Sequence, residues 1–315
     1  MAAYLARRVV QALFVVLGVT IIVFILLQLL PGGPARALLG PRATGLQLHE
    51  FIVANGYNKP VWQQYADYID HLVHGNLGYS YHYNQTVNSL LAQDLPKSVL
   101  LVGLSYVVSL LIAIPVGILQ AVRRNKPVDY ALTGVSFVGY SMPVFWLGIL
   151  LVLIFAVNLH LLPPEAPQGT SIGAVLSQPA GLILPVATLA IVTVAQFSRF
   201  MRSSAIENLV QDYIRTARSN GLSELAILFR HLLRNSLIPI ITLIGLSLPA
   251  VLSGAVITES VFNYPGMGLL LWNSATVRDY PVLLGFTVVV GVATVAGSLL
   301  ADVLYAVVDP RVRYS

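Results

Sequence analysis

The chain has 315 residues, of which 57% are hydrophobic and only 10% charged, and its mean hydropathy is +0.78. Soluble domains carry about 25% charged residues, so composition excludes an ordinary water-soluble fold and predicts a polytopic membrane protein. Cysteine is absent, which removes disulfides, thiolate metal sites and cysteine nucleophiles; the net charge of +5 does not point to nucleic acid, because the basic residues cluster at the ends of apolar runs.

Runs of about 20 apolar residues cross a bilayer core of about 30 Å, and six such runs predict an all-α membrane protein with six transmembrane helices. The first, Val9 to Leu30, follows Arg7 and Arg8 and ends at Pro31-Gly32-Gly33-Pro34; it is longer than a signal-peptide core and no small-x-small cleavage site follows, so it reads as an uncleaved anchor. Residues 31–97 are too long for a bare connection and predict an extracytoplasmic subdomain, with a helix over Val61–Leu72 stopped at Gly75-Asn76-Leu77-Gly78. Five further spans follow within 98–308: Ser98–Val122, Tyr130–Val157, Gly181–Phe200, Leu237–Glu259 and Val282–Val308, with Pro115, Pro143 and Pro249 inside them. The outer segment after the fifth span carries a turn signal, Tyr264-Pro265-Gly266-Met267-Gly268, and an apolar stretch too short to span. Residues 309–315 form a short tail. Small residues on the last span (Gly285, Gly291, Gly297, Ser298) permit close helix contact.

Of the 18 Lys and Arg residues, all but Arg36, Arg42, Lys59, Lys97 and Arg278 fall on one side when alternate segments are counted. The positive-inside rule then places both termini in the cytoplasm. It places the polar insert Arg199–Pro239 there too.

That insert, with residues 203–236 at its heart, reads as two amphipathic helices broken at Ser219-Asn220-Gly221. Upstream, Ile206, Leu209, Tyr213, Ala217 and Ile214 form one apolar stripe; downstream, Ser223 is an N-cap and Leu225, Leu228, Phe229 and Leu232 form another. Gly221 suits the left-handed conformation that ends a helix. A helix of this kind fits a groove on a soluble partner or lies on anionic lipid, and physics alone leaves both open.

Arg215-Thr216-Ala217, three residues and then Gly221 resemble the EAA loop of the inner-membrane permeases of ATP-driven, binding-protein-dependent importers, with Ala217 and Gly221 matching and the acidic position not. The stretch RTARSNGLS followed by RHLLRNSLIP is similar to the dipeptide, oligopeptide and nickel branch of that family. So, in order and spacing, are Tyr4-Leu5-Ala6-Arg7-Arg8, Leu30-Pro31-Gly32-Gly33-Pro34, His74-Gly75-Asn76-Leu77-Gly78-Tyr79-Ser80, Ser141-Met142-Pro143-Val144-Phe145-Trp146-Leu147-Gly148, Leu184-Pro185, Glu259-Ser260-Val261-Phe262, Arg278-Asp279-Tyr280-Pro281 and Asp309-Pro310-Arg311-Val312-Arg313-Tyr314. The resemblance, to the B-type subunit of peptide permeases, implies the fold of a type I importer permease. It also implies a second homologous permease subunit, two ATP-binding subunits that hold ATP and Mg, and an extracytoplasmic binding protein. It makes Asp212, Arg215, Thr216, Ala217, Arg218, Gly221, Leu222, Ser223 and Leu225 the expected ATPase-coupling residues. The expected substrate is a di- or oligopeptide, with nickel or another small solute as the alternative.

Two carboxylates are expected at the pathway or gate. Asp302, inside the last span, reads either as a transport residue or as a partner for Arg199 or Arg202. Glu259, at the outer end of the fifth span, reads as a solvated interfacial group or as a contact for a peptide amino group. His71, His74 and His82 share the outer segment, and imidazoles suit nickel, but no further ligand fixes a site. With no phosphate loop, H-E-x-x-H or G-x-S-x-G in the chain, no enzyme activity is expected. A passive channel would leave the long cytoplasmic insert without a purpose.

Overall fold

The computed structural model describes residues 2–30, 33–40 and 42–308; the side chains of Pro249 and Asp302, Pro31-Gly32 and the Asp309–Tyr314 motif lie outside that description. Helix α1 (Ala2–Gln28) contains 27 residues, about 40 Å at 1.5 Å per residue. The outer subdomain consists of α2 (Gly33–Leu39), α3 (Gly45–Ala54), α4 (Val61–Val73) and a two-stranded antiparallel hairpin, β1 (Tyr79–Ser80) with β2 (Gln85–Thr86). Thr44 begins α3 with a reciprocal capping box to Gln47.

Helix α5 (Val87–Val122) starts eleven residues before the predicted span, because Thr86 caps it by accepting the Ser89 N–H. The last part of the predicted 31–97 subdomain is therefore the first part of a membrane helix. Pro96 and Pro115 sit within α5 without ending it, as membrane helices tolerate when neighbours satisfy the freed carbonyls.

The predicted span Tyr130–Val157 is not one helix. Helix α6 (Pro127–Ser141) and α7 (Val144–Leu151), which continues as a π-helical stretch Val152–Asn158, meet at a bend of 104°. Pro143 forces Met142 into an extended conformation (φ −75°, ψ 132°), and the two halves then seat separately: a Cβ on Gly139 would lie 3.3 Å from Ile191, and one on Gly148 would lie 3.3 Å from Phe262.

A short α8 (Ile172–Leu176) precedes α9 (Ala180–Leu209), which packs along α5. They pack tightly at Gly117, where a Cβ would meet Met201 Cβ at 2.6 Å and the Ser198 carbonyl oxygen at 2.8 Å. The polar insert forms α10 (Asp212–Ser219), α11 (Glu224–Ile227), a π-helical turn Leu228–Leu232, and α12 (Leu233–Ser236), which meets α13 (Ile238–Ser253) at a bend of 42°. The fifth predicted span ends early. Gly254 takes φ +79° after Ser253, a value only glycine adopts at little cost, and Glu259 lies on a separate helix, α14 (Val256–Val261). Helix α15 (Met267–Val277) packs against α5, α14 and α16 (Tyr280–Val308), and α16 packs on α13 and α1.

Among the described residues, Val87–Val122, Ala180–Leu209 and Tyr280–Leu299 are single helices long and apolar enough to span, and the two bent pairs qualify when each pair is taken together. Three apolar clusters stack along the bundle. The outer one joins Leu90, Met267 and Phe286, the middle one Leu101, Leu184 and Phe262, and the inner one Ala121, Ala205, Ile214 and Leu232.

Candidate functional site: the polar insert and its anchors

The inner cluster fastens the insert to the spans. Ile214 and Ala217 of α10 and Ile227 and Leu232 downstream are buried against Ala121 at the end of α5 and Ala205 of α9, with Ile206, Leu209 and Tyr213 packed at the edge. The upstream stripe is therefore real but lies on two helices, since Val210-Gln211 separates α9 from α10. The Tyr213 hydroxyl donates to Asn208 across that break at 2.7 Å.

Gly221 has φ +75° and nothing within 4 Å of a built Cβ, so its constraint is the backbone alone. Ser223 accepts the Ala226 N–H at 3.3 Å, the expected N-cap. Arg218 reaches over the turn with Nε 2.9 Å and Nη2 3.2 Å from the two oxygens of Glu224. That hydrogen bond holds the Glu224 carboxyl below the usual carboxylate range. Asp212 and Arg215 form a looser exposed pair at 3.5 Å, and Thr216 Oγ1 donates to the Asp212 carbonyl oxygen.

The downstream stripe divides differently from the 3.6-residue pattern. The π-helical turn widens the spacing, so Ile227 and Leu232, five apart, share the buried face. Leu225 and Phe229, each two positions from the buried Ile227, face outward, 68% and 70% exposed, beside the partly exposed Leu222. The segment thus has an apolar underside anchored to α5 and α9 and an apolar outer face without cover.

Arg202 is secured by Asp129; the expected pairing with Asp302 lies outside the described side chains. Its Nε lies 2.8 Å from Asp129 Oδ1 and its Nη2 2.8 Å from Oδ2, a bidentate pair between α9 and the first turn of α6. Asp129 also accepts the N–H of Asn125, so one carboxylate ties the α5–α6 turn to α9. Arg199 lies over the rings of Tyr140 and Phe200.

Glu259 is not a solvated interfacial group. It is fully buried; Oε1 accepts from Ser98 Oγ (2.8 Å) and Ala255 N–H (3.0 Å), and Oε2 from Gly268 N–H (2.7 Å) and Leu269 N–H (3.1 Å). Ser98 in turn accepts the Met267 N–H at 2.8 Å. The Met267, Gly268 and Leu269 N–H groups are the orphan donors at the start of α15, and Ala255 N–H is that of the residue before α14. A Cβ at Gly266 would lie 2.5 Å from both Ser98 Oγ and Glu259 Oε2, and one at Gly268 2.5 Å from Val256 Cα, so the glycines of the turn let the backbone close on the carboxylate. A buried hydrogen bond from Ser80 to Asp279 similarly fastens the hairpin to the start of α16. The sequence gives Asp129, Ser98 and Ser80 no individual role, because their partners lie 73, 161 and 199 residues away. The three outer histidines do not converge. His74 Nδ1 faces the Asp70 carbonyl oxygen at 2.8 Å, His82 packs edge-on to Tyr83, and among the described residues no group of three metal-ligating side chains exists.

Residues 113–314 match the family described as binding-protein-dependent transport system inner membrane component, and residues 1–102 match its N-terminal family. The chain belongs to this permease family. Similar proteins include the oligopeptide transport system permease protein AppB of Bacillus subtilis, 39% identical over the full length of both chains. The dipeptide transport system permease protein DppB of Escherichia coli is 32% identical over all of this chain and 99% of that one. In fold, the permease resembles the MetNI methionine ABC transporter in its inward-facing conformations, with a TM-score of 0.51 at 16% identity, covering 68% of this chain and 96% of that chain. The permease is a multi-pass inner-membrane protein with the fold of a type I importer permease. The family boundary, between 102 and 113, falls inside α5, so the long helix joins the outer subdomain to the core without a linker.

Proposed function

We propose that this chain is one of two permease halves of an ATP-driven importer, moving di- or oligopeptides across the cell membrane by alternating access. The peptide assignment is supported by full-length similarity to oligopeptide and dipeptide permeases. ATP and Mg belong to two partner ATPases, a homologous permease supplies the other half of the pathway, and an extracytoplasmic binding protein delivers the substrate. Both termini and residues 203–236 face the cytoplasm.

The observation that carries the coupling role is the two-faced insert. Ile214, Ala217, Ile227 and Leu232 lock it to α5 and α9, while Leu222, Leu225 and Phe229 stand exposed. A groove on the closing ATPase that grips the open face moves the locked face with it, and the spans follow. Coupling needs such an element, whose two positions both sites bias. Asp212, Arg215, Thr216 and Arg218 set the helix and its turn, and Gly221, Ser223 and the Arg218–Glu224 bridge set the angle between the two arms. Affinity purification of the chain with its neighbours, followed by uptake of labelled dipeptide into proteoliposomes, tests the reading. ATP-dependent uptake that requires a co-purified ATPase supports it; uptake that proceeds without ATP makes the chain a passive channel.

A further inference from the structure

On the outer face a cavity of about 860 Å³ lies between α3, α4, the hairpin, the outer end of α1 and the start of α16. Its size falls in the range of small-molecule sites, about 300–1,000 Å³. One wall is a continuous run of rings. Tyr57 stacks on Phe51 at 5.9 Å, Phe51 meets Tyr81 edge-on at 6.0 Å, and Tyr81 meets Tyr79 edge-on at 5.2 Å. All four line the cavity.

The α4 wall supplies polar groups. The Tyr68 hydroxyl is shut off from solvent and has no hydrogen-bond partner, a state that a ligand oxygen would relieve. Burial, and to a smaller degree the neighbouring Tyr65, push its pKa up to about 12, so it keeps its proton and acts as a donor. Of the two carboxylates lining this wall, Asp67 is engaged by Lys59 at 2.7 Å. Asp70 has only the exposed His74 ring at 3.4 Å, and that ring nitrogen sits closer to the Asp70 carbonyl oxygen, at 2.8 Å. An uncommitted carboxylate beside aromatic faces is the chemistry that recognises an ammonium group.

We propose that this cavity is an outward-facing binding site for the free-amine end of a short peptide carrying an apolar or aromatic side chain. The ammonium lies against Asp70, the side chain packs on the Phe51–Tyr81–Tyr79 wall, and Tyr68 donates to a peptide carbonyl. The identity of the occupant rests on the peptide-import reading; the cavity and its chemistry do not. Such a site would hold peptide at the outer mouth apart from the binding protein.

The test is calorimetric titration of the purified heteromeric complex, without its binding protein, with the dipeptide Phe-Ala, with N-acetyl-Phe-Ala and with Ala-Ala. Saturable binding of Phe-Ala is expected, weakened at least tenfold by acetylation and by Asp70→Asn, and weakened also by Tyr81→Ala, by Tyr68→Phe and for Ala-Ala. Each variant is checked for an unchanged thermal midpoint. Absence of saturable binding to the intact complex overturns the proposal, as does equal affinity for the acetylated peptide or for Asp70→Asn. A co-purified lipid, seen by native mass spectrometry and not displaced by Phe-Ala, overturns it as well. Intact peptide uptake together with no binding at the cavity rejects this site alone; failure of peptide uptake in the presence of the binding protein rejects the import reading and with it the occupant.

Discussion

Ser98 Oγ lies 2.8 Å from Glu259 Oε1, joining residues 161 positions apart in a site sealed from solvent. Ser98 also accepts the N–H of Met267, and Glu259 accepts those of Gly268 and Leu269, so the pair caps α15 and holds it to α5. The segment Glu259–Gly268 is thus one folded unit: a carboxylate, the turn that wraps it, and the glycines that let the turn close.

Removing the carboxylate strands several buried donors at once. At about 1–3 kcal/mol per unsatisfied group, Glu259→Ala is expected to destabilise by roughly 3 kcal/mol or more, lowering the yield and thermal midpoint of the assembled complex. Glu259→Gln keeps the acceptor oxygen for one pair of donors and should cost less. Thermal melts of the purified complex check this. A Glu259→Ala complex that melts normally but fails to transport would move the residue from scaffold to pathway.

The Asp129–Arg202 pair is expected to hold α6 and α9 in register above the insert. Asp129→Asn removes one of the two hydrogen bonds to Arg202, worth about 1.5–3 kcal/mol, and leaves the 30% exposed Arg202 side chain without its counter-charge. Uptake should fall more than ATP hydrolysis, because the ATPases would turn over against a loosened α9. The exchange Asp129→Arg with Arg202→Asp should recover part of the uptake. No recovery in the exchange, with a normally assembled complex, would mean that the pair does not act as a pair.

Gly221→Val should reduce coupled transport while leaving membrane insertion intact, since φ +75° strains a β-branched residue whatever space surrounds it. The open space around the site excludes a clash as the cause. Gly221→Asn, which tolerates the left-handed region better, should lie between Val and the parent. Parallel measurement of uptake and substrate-stimulated ATP hydrolysis in proteoliposomes checks the series; parent-like values for Val would free the turn from any coupling role.

Much of the architecture is legible in the chain because its signals are local. An apolar run of bilayer length, a glycine needing a positive φ, and Ser223 ahead of a helix each carry their own physics. Gly221 and Ser223 are found in the expected conformations for that reason. What escapes is set by packing between distant segments. Pro143 permits either a kink or a full break, and only the separate seats of Gly139 and Gly148 make it a 104° bend. The π-helical turn at Leu228–Leu232 brings Leu232, five residues on, to the buried face beside Ile227, a spacing the 3.6-residue period does not give. Glu259 reads as interfacial because its charge is visible in the sequence, whereas the four donors that neutralise the cost of burying it are not.

Topology offers a further check. Cysteines introduced into this cysteine-free chain at Asn55 and Asn220 should react with an impermeant reagent from opposite faces of the membrane, Asn55 in intact spheroplasts and Asn220 only in inverted vesicles. Labelling of both from one side would contradict the placement of the outer subdomain and the insert.

The most direct test of the coupling account is Phe229→Glu, paired with Leu225→Glu, in the reconstituted heteromeric complex. Both residues are outward-facing and make no part of the buried cluster, so a charge there should leave the permease folded while breaking an apolar contact with the ATPase. The account predicts a complex from which the ATPase dissociates on dilution, or one in which ATP hydrolysis continues without ATP-driven dipeptide uptake. Uptake and hydrolysis at the parent's levels, with the ATPase still bound, would contradict it.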